Sequence, residues 1–205
     1  MSETPVILIG GGGHCHACID VIEQSGVYRV AGIVEQPGKA ESQTVMGYPV
    51  IGDDSDLEQL RTKYDHALVT VGQIGSAKIR KSLFDKLTAM EFNLPAVISP
   101  MAYVSGHAVI GKGTVVMHRA LINAGAEVGE NCIINTAGLV EHDASIGDHS
   151  HISTAAVVNG SAKVGSGSFI GSNAVVTHGA KLPDGWFFKA GKRVIDAGDG
   201  KPIRE

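Results

Sequence analysis

From Val104 onward an aliphatic residue returns at every sixth position without an insertion. It stands at Val104, Ile110, Val116, Ile122, Val128, Ile134, Val140, Ile146, Ile152, Val158, Val164, Ile170, Val176 and Leu182. Four residues after each comes a small one, from Ala108 and Thr114 through Cys132, Gly138 and Ser150 to Ala180. Trp186 breaks the rule in the last hexad. No α-helix keeps such a period on one face, because 3.6 does not divide six. A strand does, if a corner interrupts it once per hexad. Positions i and i+4 then face inward, the large residue on the flat and the small one near the corner. Glycine often follows the aliphatic residue, as at Gly111, Gly129, Gly147, Gly165 and Gly171. The chain holds 27 glycines in 205 residues, in neither a collagen triplet nor a low-complexity tract, which points to many tight turns.

Residues 5–98 alternate strand and helix signals instead. Val6–Ile9 is a wholly apolar run, as at the centre of a parallel sheet, and it meets Gly10–Gly13 at once. A helical pattern with Ala17, Ile19, Val21 and Ile22 follows, then a strand from Val30 to Val34 ending in Glu35. Asp53 or Asp54 is placed to cap a helix carrying Leu57 and Leu60. Ala67–Val71 reads as a buried strand. Ser76 then starts a helix with Ile79, Leu83, Leu87 and Met90 on one face. The pattern predicts a Rossmann-like α/β domain over residues 1–98, followed by the repeat domain over 99–205.

A strand entering a helix through glycines leaves backbone N–H groups free for phosphate. The dinucleotide fingerprint is only partly met, since Cys15 stands where its third glycine belongs. Glu35 sits where an acidic group would meet a ribose or a base. A bare tight turn and a nucleotide site both fit, whereas NAD lacks any hydride-transfer partner. Cys15 and Cys18, one helical turn apart, read as small packed residues. No second ligand pair follows them at zinc spacing.

Composition narrows the partners. A net charge of −4 and a pI near 6.1 argue against nucleic acid. No apolar run approaches a membrane span, and no basic segment precedes the first strand as in a signal peptide. Three cysteines without a secretory signal imply a reduced, cytoplasmic setting.

The hexads IGKGTV, VGENCI, IGDHSH and VGSGSF resemble the hexapeptide repeats of left-handed parallel β-helix acyltransferases. In those proteins three hexads make one coil, residues eighteen apart stack in a column, and the prisms assemble as trimers with active sites between neighbours. Together with ILIGGGGH, the Gly72–Arg80 stretch and INTAGLVEHDASIGDHSHIST, they resemble the PglD/NeuD-type sugar-nucleotide acetyltransferases over nearly the whole chain. That resemblance implies acetyl-CoA as co-substrate, a nucleotide-linked amino sugar as acceptor and a homotrimer. It also assigns roles. His142 is the general base, Asp143 its orienter, and Gly160, one coil above, offers its N–H to the acetyl oxygen. Gly11, Gly12, Gly13, His14, Glu35, Gly72, Gln73 and His151 fall to the sugar nucleotide. His151, Gly160, His178, Lys189, Gly191 and Lys192 fall to acetyl-CoA.

The residues themselves add detail. His142 is a corner residue flanked by Glu141 and Asp143, and a carboxylate can orient the ring of a base. His178 stands two coils above it, which at ~4.8 Å per coil separates them by ~10 Å. Phe188–Lys192 resembles the family's closing stretch, but Lys192 and Arg193 stand where small or apolar residues and proline are usual, and the tail runs on to Glu205. Those cations either meet CoA phosphates or are simply solvated. His142, His149 and His151 lack the ligand spacing of the zinc enzymes built on the same prism, so no metal is expected. Cys132 occupies an i+4 position and reads as core, not as an acyl carrier. Sialic-acid O-acetylation, also suggested by ISTAAVVNG, and a non-catalytic nucleotide-binding module are the rival readings.

Overall fold

A computed structural model of the chain describes residues 3–38, 44–196 and 202–204; the tail's end at Glu205 lies outside the described residues. The first unit is built from β1 (Thr4–Ile9), α1 (Gly13–Ser25), β2 (Tyr28–Glu35), β3 (Thr44–Val45), β4 (Tyr48–Asp53), α2 (Leu57–Arg61), β5 (His66–Val69) and α3 (Lys78–Ala89). The strands β4, β2, β1 and β5 pair in parallel in that order, and β3 adds antiparallel to β4. The central β1 is all-apolar because both its sides are covered. Val6 and Leu8 pack with α1, while Ile7 and Ile9 pack with residues of α2 and α3.

Three local expectations shift. Cys15 and Cys18, not Ala17, take the inward places of α1. Asp56 precedes α2, and its Oδ2 accepts from Asp53 N–H at 2.9 Å, so the acidic run folds onto itself rather than capping through Asp53 or Asp54. On α3 the buried residues are Arg80, Phe84 and Leu87, while Ile79 is exposed. That helix is wedged between the sheet and the second unit, so its buried stripe answers to two surfaces at once.

The second unit is a left-handed parallel β-helix. Its three sheets are the faces of a prism. Face one comprises Val97–Ile98, Val115–Val116, Ile133–Ile134, His151–Ile152, Phe169–Ile170 and Phe187–Phe188. Face two starts at Tyr103–Val104, and face three at Val109–Ile110. Each strand pairs in register with the residue eighteen positions on, for example Leu121 with Leu139 and Ile134 with Ile152. The inward columns match the hexad pattern: Val116, Ile122, Val128, Ile134 and their successors, with Ala120, Ala126, Ala144 and Ala156, form one buried core. Each large aliphatic residue so buried contributes roughly 1.5–3 kcal/mol.

Two rules explain the glycines. The i+3 residue of successive corners is left-handed, as glycine at Gly125 or Gly167 and as another residue at Arg119, Asn131, Asp143 or Ser161. The i+1 glycines answer to the coil above: a Cβ on Gly147 would stand 2.5 Å from Ser166 N. One inward column is polar. Thr114 Oγ1 donates to Gly129 O and accepts from Cys132 N–H, and Ser150 and Ser168 repeat the pattern one and two coils beyond Cys132. Cys132 takes a serine's place in this ladder, its thiol 3.3 Å from Gly147 O. It is buried and its pKa is pushed up to about 12 by desolvation, so it is core.

Gly147→Ala is expected to cost about 1–3 kcal/mol, as overpacking does, whereas Gly106→Ala, which meets nothing within 4 Å, leaves stability unchanged. Urea denaturation of the two variants checks this.

Candidate active site

The corner between faces two and three carries the first cluster. His142 and Asp143 occupy its two turn positions, and the left-handed backbone of Asp143 (φ 58°) turns the carboxylate back onto the ring. His142 Nδ1 lies 2.9 Å from Asp143 Oδ2, and both side chains are exposed. The bond to Asp143 raises the pKa of His142 above its ordinary value, with the charges of Asp143 and Glu141 acting in the same sense. With Nδ1–H given to the carboxylate, Nε2 is the basic nitrogen.

That nitrogen lies over Gly160. A Cβ at Gly160 would stand 2.6 Å from His142 Nε2. At the matching step of several other corners the N–H is taken by a side chain: Ala124 by Asn123, Glu130 by Asp148, Thr136 by Asn135, His142 by Glu141 and Ser166 by Asp184. Asn159, which precedes Gly160, donates its side-chain amide to Val176 O at 3.0 Å instead. Among the described residues Gly160 N–H donates to no acceptor within the chain. His178 stands across the gap, with ring centroids 6.4 Å from those of His142 and planes tilted by 45°. This corrects the ~10 Å spacing expected from coil height. The missing side chain at Gly160 lets the two rings lean toward each other.

The second cluster lies where the α/β unit meets the prism near the corner between faces three and one. Glu35 braces the glycine turn: Oε1 accepts from Gly11 N–H at 2.9 Å and Oε2 from Gln36 N–H at 3.2 Å. Gly11 N–H is therefore spent within the chain, while Gly12 and Gly13 open α1, where the first N–H groups have no intrahelical partner. His14 contacts Cys18 Sγ at 3.5 Å and lies beside Gly72. Burial first, then the charge of Arg80, pushes its pKa down to about 3.

His151 differs from the expectation of a ligand-holding ring. It is buried, its Nδ1 lies 2.6 Å from Gln73 O, and Asn135 Nδ2 donates to its Nε2 at 3.0 Å. Both ring nitrogens are thus spent, Nδ1 on tying the loop after β5 to the prism and Nε2 on Asn135 within the prism. Burial holds the ring neutral, with a pKa near 4. Gln73 is likewise buried and donates to Ser168 O.

Sequence reasoning missed the residues that lock the two units. Arg80, buried and without a carboxylate partner, donates to Val69 O, Val71 O, Asn131 O and Asn131 Oδ1. His118 bridges Ser99 Oγ and Asp20 Oδ2, each at 2.7 Å. His118 sits at the same hexad position as His142, a signal that was available. Nothing in the pattern of α3 marks Arg80 as inward. Lys189, Gly191 and Lys192 form a third group, at the corner between faces one and two in the last coil, where both lysines are exposed. Among the described residues no three His, Cys, Asp or Glu side chains gather as metal ligands, and no helix is long and apolar enough to cross a membrane.

Residues 5–87 match the PglD N-terminal domain family. The acetyltransferase domain of PglB from Neisseria gonorrhoeae, solved with acetyl coenzyme A, superposes with a TM-score of 0.81 at 30% identity, covering 98% of this chain and 100% of that one. The chain belongs to the PglD/NeuD-type acetyl-CoA-dependent sugar-nucleotide acetyltransferases. Within that family, a histidine-to-asparagine variant of perosamine N-acetyltransferase from Caulobacter crescentus, solved with CoA and GDP-perosamine, gives a TM-score of 0.74 at 29% identity, with 98% and 96% coverage. UDP-N-acetylbacillosamine N-acetyltransferase from Bacillus subtilis is 33% identical over 112 residues, 55% of this chain and half the length of that relative.

The two buried histidines give a pH signature. His14 and His151 have folded pKa values of about 3 and about 4 against 6.5 when free. The unfolded chain therefore binds more protons as pH falls below 6.5. Their contribution to stability is whole above that value and is lost toward pH 4. Thermal melts are expected to fall across that window, and less steeply for His151→Gln.

Proposed function

We propose that the chain transfers an acetyl group from acetyl-CoA to the amino group of a nucleotide-linked amino sugar, by direct transfer, in bacterial glycan or polysaccharide synthesis. One observation carries the reading: an imidazole tethered by Asp143 turns its basic nitrogen onto a glycine whose N–H is unspent. The sugar amine attacks the thioester carbonyl, His142 Nε2 takes its proton, Asp143 steadies the imidazolium, and Gly160 N–H meets the oxygen as charge develops on it. The N-acetyltransferase names of the Bacillus and Caulobacter relatives favour nitrogen over oxygen as acceptor. The enzyme acts in the cytoplasm in this reading, in keeping with three free, buried cysteines.

The sugar nucleotide is assigned to the mouth formed by Gly11, Gly12, Gly13, His14, Glu35, Gly72 and Gln73, where α1 offers its N-terminal N–H groups. Glu35 keeps lone pairs beyond the two hydrogen bonds it accepts. Acetyl-CoA is assigned to the groove beside Gly160, His178 and the last-coil Lys189, Gly191 and Lys192. These groups do not meet in one protomer. The α/β unit packs against face one, through Asp20–His118, Arg80–Asn131 and Gln73–His151. His142 sits at the corner between faces two and three, which in a three-sided prism lies opposite face one. A second copy must close the site. Face two is the surface proposed for it: Tyr103, Leu121, Leu139, Val157 and Val175 form an outward apolar column there before Arg193, whereas on face three Val109 is followed by Glu127, Ser145, Lys163 and Lys181. The apolar column supports a homotrimer as the assembly in this reading.

Thiol release from acetyl-CoA with a panel of UDP- and GDP-linked amino sugars and sialic acid tests the reaction. His142→Ala and Gly160→Ala are each expected to lower kcat about 10²–10⁴-fold, the second because its methyl would displace the His142 ring. The acid limb of the wild-type profile is expected above pH 6.5, since the base works only when neutral, and Asp143→Asn shifts it to lower pH. Absence of release with every acceptor would overturn the reading. For the assembly, light scattering is expected to give three times the 21.3 kDa of one chain, and Leu139→Lys to give a smaller, inactive species.

A further inference from the structure

His178 has no part in the transfer as so far described beyond lining the donor groove. It is exposed, and nothing in the fold calls for an imidazole at that corner. Its place is nonetheless specific. His142, Gly160 and His178 are three successive rungs of one corner column, eighteen residues apart, held in step by the register of face two from Leu139 to Val157 to Val175. The middle rung is empty of side chain, and the outer two rings approach to 6.4 Å across it. Among the described residues the charged groups about the pair are Asp143 and Glu141 below, and Lys163 and Lys181, stacked in register, where face three begins.

We propose that His178 is a second catalytic residue, the acid that protonates the departing CoA thiolate. This rests on the acetyl-transfer reading and follows from the order of the rungs. An acetyl carbon whose oxygen meets Gly160 N–H lies between the two rings. The attacking amine must approach on the side of His142, where its proton is taken. The substituents of a tetrahedral carbon diverge, so the sulfur departs on the other side, toward His178. The N–C bond forms and the C–S bond breaks. The amine proton passes to His142 Nε2, and a ring N–H proton of protonated His178 passes to the sulfur. His142 then holds the proton that His178 has lost. A single water across the gap, or bulk solvent at this exposed corner, returns it and restores both groups. No other reactant is needed.

Two imidazoles with opposite tasks require opposite protonation states, one neutral and one charged. Removing either ring is therefore expected to cost rate. The test uses the full chain, acetyl-CoA and the UDP- or GDP-linked amino sugar that the wild type turns over fastest. His178→Gln keeps a polar side chain at an exposed corner and removes the titrating group. It is expected to lower kcat about 10²-fold, at the low end of acid–base contributions, with KM for acetyl-CoA within threefold of wild type. Added imidazole restores part of the rate. Calorimetric titration with CoA gives an unchanged Kd. A KM and a Kd for CoA that rise tenfold with kcat preserved would show that the ring only holds the donor, and would overturn the proposal. So would an unaltered kcat, or a rate that added imidazole fails to raise. A wild type inactive on every acceptor would instead count against acetyl transfer itself, and this proposal would fall with it.

Discussion

The hydrogen bonds between successive coils set every other distance in the prism. On the faces each runs from a backbone N–H to a carbonyl one coil on, as from Leu121 to Gly138 and from Glu141 to Val158, both at 2.9 Å, and at the corners the left-handed residue donates one coil back, as from Asp143 to Ala124 at 3.1 Å. They hold each residue over the one eighteen positions before it. The inward columns are then filled by packing, with one hydrogen-bonded ladder through Thr114, Ser150 and Ser168, and the corner side chains are under fewer structural demands. A corner column is consequently a ladder whose rungs can be chosen one at a time. Gly160 illustrates the choice. Its backbone is not left-handed, so the turn does not ask for glycine there. What excludes a side chain is the His142 ring beneath it. The chemistry of one rung has fixed the residue on the next.

The join between the two units follows a different logic. Arg80 is a buried cation whose two terminal nitrogens donate only to neutral oxygens, those of Val69 and Val71 at and just beyond the end of β5 and two on Asn131 of the prism. Hydrogen bonds from a charged donor are worth roughly 1.5–3 kcal/mol each, and losing one inside leaves a desolvated charge. Separating the units would strand that charge, so the join is rigid. Burial depresses His14 and His151 and keeps both neutral, and the same cation adds to the effect. His151, spent at both nitrogens, then fixes the loop that begins at Gly72. The glycine mouth is held at one height along the prism, which is what a site completed by another copy requires.

The prism was legible because its period is strict: Val104 to Leu182 admit no other fold, and the inward pairs fall where the pattern puts them. The His142–Asp143 contact could be read from adjacency and a corner position. Distances across a corner could not, because they depend on absent atoms; the closeness of His142 and His178 is a property of Gly160. Nor could the face of α3. An arginine at that spacing reads as solvated until the carbonyls it serves are known, and those lie on β5 and on a prism corner 51 residues away. Glu35 was found at the right place, but its grip on Gly11 N–H comes from the turn's curvature, which spacing does not encode. The helix before β5 began later than its acidic run suggested, since Asp53 and Asp56 bond each other's neighbourhood first.

The charges of the chain are divided as those of its proposed substrate are. A nucleotide-linked amino sugar is anionic at its diphosphate and cationic at its amine. The mouth that would take the diphosphate lies over the start of α1 and near buried Arg80, whereas the corner that would take the amine carries Glu141, Asp143 and His142. An acidic corner attracts an ammonium ion, yet only the free amine attacks. The tether from Asp143 bears on both demands. By raising the pKa of His142 it makes Nε2 a stronger base, and a stronger base takes a proton more readily from the amine as the N–C bond forms. The cost is that fewer molecules carry a neutral ring at low pH. Transfer at this corner would therefore be lost on the acid side, where the ring is charged and the amine is an ammonium.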